Sequence, residues 1–177
     1  GGMVVMDDST CMVEMARFFL DFTAKESCGK CVHCRLGTKR MLEILTRITE
    51  GNGTMEDLDE LDELGKTLKA NSLCALGQTA ANPIISTITH FKDEYIAHIV
   101  DKKCPAKVCK NLIQYTIIQD NCFGCGVCAK ACPVGCIQRT DYTAPGKKLA
   151  SFQIDPQQCV KCGACMATCK FKAIVQK

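Results

Sequence analysis

Two runs of cysteine set the chemistry of this chain: "CFGCGVCAKACP" at 122–133 and "CVKCGACMATCK" at 159–170. Both have the form C-x2-C-x2-C-x3-C, giving Cys122, Cys125, Cys128, Cys132 and Cys159, Cys162, Cys165, Cys169. Thiols this close together could pair as disulfides, hold zinc, or cradle iron and sulfide. The opening residues lack the basic, apolar and small-residue pattern of a secretory leader, so the expected setting is the reducing cytoplasm, where disulfides are rare. Structural zinc usually sits between two C-x2-C knuckles separated by a spacer, and a triple knuckle repeated twice departs from that habit. Three thiolates on one tight loop can instead cap three irons of a cubane, while the fourth is carried off by the following helix.

This spacing is the one found in bacterial two-cluster ferredoxins, where the fourth cysteine of each run ligates the other cluster. One [4Fe–4S] cluster is then expected on Cys122, Cys125, Cys128 and Cys169, and a second on Cys132, Cys159, Cys162 and Cys165. Gly124, Gly126 and Gly163 would let backbone N–H groups approach the sulfides. Pro133 follows the first run and Lys170 the second, a difference that removes no ligand. Cys136 is expected to be a buried thiol.

A third run, "SCGKCVHCRLGT", supplies Cys28, Cys31 and Cys34, and Cys74 in "NSLCALG" is the natural completion if two loops meet at one end of a bundle. Of the cysteines left over, Cys104 and Cys109 stand with His98 in "AHIVDKKCPAKVC", a spacing that suits a tetrahedral N/S site. Cys11, at the start of the first helix, is the expected fourth ligand of a closed structural zinc. His90 is the rival imidazole, and His33 is expected near a cluster but not on it. Such a zinc would fix the segment that leads into the second half of the chain, or set a hinge there.

The elements that must position these residues follow from periodicity. Residues 10–24 read as a helix buried on more than one face, capped by Asp8, Ser9 or Thr10. A second helix carries Met41, Leu42, Leu45 and Ile48 and stops at "GNG". A third opens at Thr54 with Asp57 as a capping-box variant and carries Leu58, Leu61, Leu64 and Leu68. Asn82 and Pro83 open a fourth, over about 83–100. Beyond it come four short strands, 115–118, 137–141, 151–155 and 172–176, two around each cysteine run, so that the unit is duplicated at an interval of 37 residues. Residues 1–101 carry 10 basic and 16 acidic side chains and residues 102–177 carry 12 and 3, a change of sign that marks a boundary near 101. The fold class is α followed by α+β: a four-helix bundle iron–sulfur domain at 10–101, a linker with zinc ligands at 102–113, and a bacterial-type 2×[4Fe–4S] ferredoxin-like domain at 114–177. Residues 1–9, "GGMVVMDDS", read as the end of a truncated upstream domain.

The stretch from "MDDSTCMVEMARFF" through "SCGKCVHCRLG", with "LCALGQTAANPIIST", resembles the C-terminal helical domain of the flavin subunit of respiratory complex I. That resemblance implies one [4Fe–4S] cluster on Cys28, Cys31, Cys34 and Cys74. With a ferredoxin fused behind, the whole resembles the beta subunit of soluble, electron-bifurcating-type [FeFe]-hydrogenases and the related NAD-linked formate dehydrogenases. It implies FMN and NAD(P) sites upstream, and as partners a hydrogenase catalytic subunit, a small [2Fe–2S] subunit and soluble ferredoxin. The expected role is an electron relay in an oxidoreductase, with no catalytic acid, base or nucleophile in these residues. The competing class is a non-redox zinc scaffold binding nucleic acid through its basic half. No aromatic-interleaved basic stripe supports it, and no apolar run of 18 residues spans a bilayer.

Overall fold

The computed structural model describes residues 3–176; Gly1 and Gly2, part of the expected tail of an upstream domain, and Lys177 lie outside the described residues. The chain divides into two units, Gly1–Leu112 and Ile113–Lys177.

The first unit is helical: α1 (Met12–Glu26), α2 (Val32–Thr49), α3 (Glu56–Asn71), α4 (Ala75–Thr79), α5 (Asn82–His90) and α6 (Lys92–Ile99). Its core takes Val13 and Leu20 from α1, Met41, Ile44, Leu45 and Ile48 from α2, Leu61 and Leu68 from α3, Ile84 from α5 and Tyr95 from α6, each almost fully buried. Every such side chain withdrawn from water contributes about 1.5–3 kcal/mol. Gly37 brings α2 against Leu68 of α3, in a space that a Cβ would fill.

Four expectations are corrected here. Helix α1 buries a single stripe, Met12, Val13, Ala16 and Leu20, while Phe18 and Phe22 face water. Its cap is Cys11, whose Sγ accepts from the Glu14 N–H at 3.5 Å, in place of Asp8, Ser9 or Thr10. The fourth expected helix is two, because Phe91 leaves helical geometry at φ −131°, ψ 37°. Thr87 Oγ1 lies within hydrogen-bond distance of the Pro83 carbonyl (2.9 Å) and of the Tyr95 hydroxyl (2.8 Å), which ties the two segments across the break. Of the expected linker, 102–113, all but the last residue belongs to the first unit, with Cys104, Cys109 and Leu112 in its core.

Between α2 and α3, the Thr54 N–H donates to Asp57 Oδ2 at 2.8 Å, the reciprocal half of the expected capping box. The buried Asp57 carboxylate also pairs with the Arg47 guanidinium.

The second unit is built twice. Strand β1 (Tyr115–Ile117), helix α7 (Val127–Ala131) and strand β2 (Ile137–Arg139) are repeated as β3 (Phe152–Ile154), α8 (Ala164–Thr168) and β4 (Ile174–Gln176). The copies interlock: β1 pairs antiparallel with β4, Thr116 opposite Val175, and β2 with β3, Gln138 opposite Gln153. Gly126 and Gly163, at φ 74° and 76°, turn the chain into α7 and α8.

Replacing Asp57 with Ala removes the acceptor of both Thr54 and Arg47 and should cost about 1–3 kcal/mol. Anaerobic urea unfolding followed by circular dichroism should show the lower midpoint.

Candidate metal centres

Fifteen of the sixteen cysteines fall into four groups, Cys136 standing apart, and among the described residues none forms a disulfide. In the second unit, Cys122, Cys125 and Cys128 line one cavity together with Cys169 from the far end of the other copy. The second cavity is lined by Cys159, Cys162 and Cys165 together with Cys132. The structure therefore gathers each quartet with its fourth member exchanged between copies. The interlocked strands are the reason, since each C-terminal strand crosses to the other repeat and takes the preceding cysteine along. The two spaces are walled by apolar side chains: Ile117, Phe152 and Ile174 around the first, Ile137, Ile154 and Val160 around the second.

The loops are shaped for close approach. At Gly124, φ is +68° and a Cβ would stand 2.5 Å from the Ala150 carbonyl oxygen. In the other copy Lys161 takes the same left-handed turn at φ 56°, and its N–H donates to Cys159 Sγ at 3.4 Å. Phe123 and Phe171 stack at 4.3 Å over the mouth of the first cavity, with Lys147 Nζ 4.4 Å from the Phe123 ring centre. Cys136 is buried, with its Sγ 3.4 Å from Cys132 Sγ. Burial, then its contact with Cys132, pushes the Cys136 thiol up to about 12.

In the first unit, Cys28, Cys31, Cys34 and Cys74 line a cavity between the start of α2 and the start of α4. The Leu73 N–H donates to Cys31 Sγ at 3.5 Å. Ser72 also lines this space, and its Oγ is the one buried side-chain polar atom without a partner among the described residues. A hydroxyl left unpaired beside four thiols fits an acceptor-rich group in the cavity, since buried polar groups otherwise find partners. Nothing in the sequence marks Ser72 as part of the site. His33 is exposed one residue before Cys34 and stands outside the lining.

The fourth group is Cys11, His98, Cys104 and Cys109, all buried, with their ligand atoms within 4.8 Å of one another. Cys11 Sγ lies 3.7 Å from Cys109 Sγ, and His98 Nε2 lies 3.3 Å from Cys11 Sγ and 3.4 Å from Cys109 Sγ. A tetrahedral zinc with Zn–S near 2.3 Å requires sulfurs ~3.8 Å apart, and nitrogen somewhat closer. His98 Nδ1 is 2.7 Å from the Glu94 carbonyl, which accepts its proton and leaves Nε2 facing the thiols. The N–H groups of Val108 and Cys109 point at Cys104 Sγ at 3.4 and 3.5 Å, around a turn in which Lys107 is left-handed. His90 is exposed and plays no part. The break at Phe91 separates the two histidines, placing them on different helices.

The protonation states argue for a cation. Hydrogen bonds from Cys109 and Cys11 pull the Cys104 thiol far down, and the same contacts push Cys109 far up. Burial opposes charge on His98, but hydrogen bonds to Cys104 and Cys11 outweigh it and raise the imidazole to about 10. Three thiols this close repel one another when ionised, and a metal cation would let all three be thiolates.

Comparison with known proteins finds a match within each unit. Residues 14–98 match the NADH-ubiquinone oxidoreductase-F iron–sulfur binding region, and residues 121–173 match the 4Fe-4S dicluster domain. The chain is 58% identical over 140 residues to the NADP-reducing hydrogenase subunit HndC of Solidesulfovibrio fructosivorans, covering 79% of this chain and 29% of that protein. It is 44% identical over 104 residues to an F-type subunit of NADH-quinone oxidoreductase from Rhizobium meliloti (strain 1021), covering 59% of this chain and 25% of the relative. Among solved structures, an NAD+-reducing [NiFe]-hydrogenase in the H2-reduced state aligns with a TM-score of 0.52 at 33% identity, over 54% of this chain and 16% of that one. The chain thus spans less than a third of the curated relatives it matches. No helix among the described residues is long and apolar enough to cross a membrane.

Gly124→Ala should drive a methyl into the Ala150 carbonyl and open the first loop of the dicluster domain. Iron analysis should show a loss of about four atoms per chain, with the other sites filled.

Proposed function

We propose that this chain, which joins an NADH-ubiquinone oxidoreductase-F iron–sulfur binding region to a 4Fe-4S dicluster domain, relays single electrons through three [4Fe–4S] clusters. The observation that carries this reading is the exchange of Cys132 and Cys169 between the two cavities of the second unit. Zinc knuckles have no need of that exchange, whereas two neighbouring cubanes use it. Cys28, Cys31, Cys34 and Cys74 hold the first cluster. Cys122, Cys125, Cys128 and Cys169 hold the second, and Cys159, Cys162, Cys165 and Cys132 the third. When bound, these clusters supply one-electron storage without proton chemistry, and the protein contributes thiolates, backbone N–H donors and an apolar wall that limits water.

Cys11, His98, Cys104 and Cys109 hold a structural zinc. All four positions are taken by protein, so no open coordination site is left for catalysis. The metal clamps residues 104–109 onto the start of α1 and the end of α6, in a place where the buried polar cluster would otherwise carry uncompensated charge.

The parent molecule is an NAD(P)-linked, hydrogenase-type oxidoreductase that carries its flavin and nicotinamide sites outside these residues. Electrons pass between that flavin and the dicluster unit by way of the cluster on Cys74, and from there to partner subunits or to ferredoxin. Similarity to HndC and to an NAD+-reducing hydrogenase supports this assignment over a formate dehydrogenase parent.

In the full-length parent, Cys74→Ala should leave the dicluster unit reducible by dithionite while slowing its reduction by NAD(P)H at least tenfold in stopped-flow absorbance near 400 nm. An unchanged rate would contradict the relay. Cys104→Ala in the same preparation should lose zinc and keep all its iron by metal analysis; retained zinc would contradict the structural site.

A further inference from the structure

We infer that the two clusters of the dicluster unit are made unequal by the residues around them, with Cys136 raising the reduction potential of the site on Cys132, Cys159, Cys162 and Cys165. This rests on the reading of the second unit as a two-cluster relay and adds to it the resting place of the electron.

The internal repeat supplies the comparison. At an interval of 37 residues each side chain at one cavity has a counterpart at the other, so differences between copies are differences between sites. Cys136 corresponds to Ala173, and both are buried with 2% of their surface exposed. The positions are equivalent in space, yet one carries a thiol and the other a methyl. Cys136 Sγ sits 3.4 Å from Cys132 Sγ. A cysteine bound to iron is a thiolate and can only accept, so Cys136 is the donor of an S–H···S hydrogen bond. Ala173 offers Cys169 nothing comparable.

Two further substitutions act in the same direction. Phe123 and Phe171, stacked over the first cavity, correspond to Val160 and Val134 at the second. Cys159 is half-buried where Cys122 is buried. Tyr115 stands at the second cavity where Phe152 stands at the first, adding a hydroxyl to an otherwise apolar wall. Donors to the sulfurs and access of water both favour the more negative, reduced state and therefore raise the potential. Lys147 and Arg139, over Phe123 and Phe152 beside the first cavity, act in the opposite direction through an intervening ring, while the Lys161 backbone N–H donates to Cys159 at the second.

A single electron entering the unit therefore settles at the Cys132 site. Its transfer there oxidises one cluster and reduces the other by one electron, with no bond made or broken and no proton moved.

The test is an EPR-monitored redox titration of the full chain purified anaerobically. Cys136→Ala should lower the higher of the two mutually coupled waves by a factor of at least ten in the intercluster equilibrium, about 59 mV for one electron, and leave the lower wave in place. Cys136→Ser, which keeps a donor, should restore most of the shift; a packing role alone would make Ser and Ala behave alike. Ala173→Cys tests the converse without touching Cys136, and should raise the lower wave. Unmoved waves in Cys136→Ala, or movement of the lower wave only, would overturn the inference. Iron counted on the same samples separates this outcome from failure of the two-cluster reading, since full iron with unmoved potentials contradicts Cys136 alone.

Discussion

Thiols packed within a few ångströms of one another cannot all ionise unless a cation joins them, and the four cysteine sites of this chain are organised around that constraint. At Cys11, His98, Cys104 and Cys109 it is visible in the opposed shifts of neighbouring thiols and in the raised imidazole. In the second unit it extends to the fold itself. The strands there are three residues long, too short for two-stranded sheets to persist alone. The apolar cluster that should hold them together contains Cys122, Cys128, Cys136 and Cys165 as core members. Remove the metal, and a large part of the core becomes mutually repelling or solvent-seeking. On the proposed reading, folding and cluster binding in this unit are one process.

The first unit is built on another principle. Its centre is an ordinary close-packed core of Leu, Ile, Val, Met and Tyr side chains on five helices. The metal-binding groups lie at loops and helix starts around that core: Cys31 and Cys74 directly precede α2 and α4, and Cys11 directly precedes α1. Positions at helix starts have free N–H groups, and these favour thiolate. On the proposed reading one residue type serves both as the entry to a helix and as a ligand, and Cys11 takes the capping place that Asp8, Ser9 and Thr10 could have filled.

Much of this was legible in the sequence, because cysteine spacing is a covalent fact that tertiary context cannot alter. The exchange of Cys132 and Cys169 follows from the C-x2-C-x2-C-x3-C pattern, and the repeat interval locates all four strands. What could not be read depended on geometry at a single residue. The turn at Phe91 divides one apparent helix and carries His98 away from His90, yet nothing in "THFKDE" signals a break. Phe18 and Phe22 look like core from composition and are exposed, because hydrophobicity alone does not say which face of α1 is covered. Ser72 has no pattern to announce it; only its missing partner does. The contact between Cys136 and Cys132 is a four-residue spacing shared by countless unconnected pairs, and becomes informative only when set beside Ala173 in the other copy.

The duplication also accounts for what the second unit can do that a single cluster cannot. Two interlocked copies of one cradle hold their sites close and in fixed register, through β1 with β4 and β2 with β3. Once the copies diverge in a few wall residues, direction is built into an otherwise symmetric object. The most direct measurement of the central claim is native mass spectrometry of the intact chain, purified without oxygen. The account predicts a mass above that of the polypeptide equal to three [4Fe–4S] clusters and one zinc ion. A chain carrying zinc alone, or iron in amounts that cannot fill three cubanes when fully loaded, would contradict it.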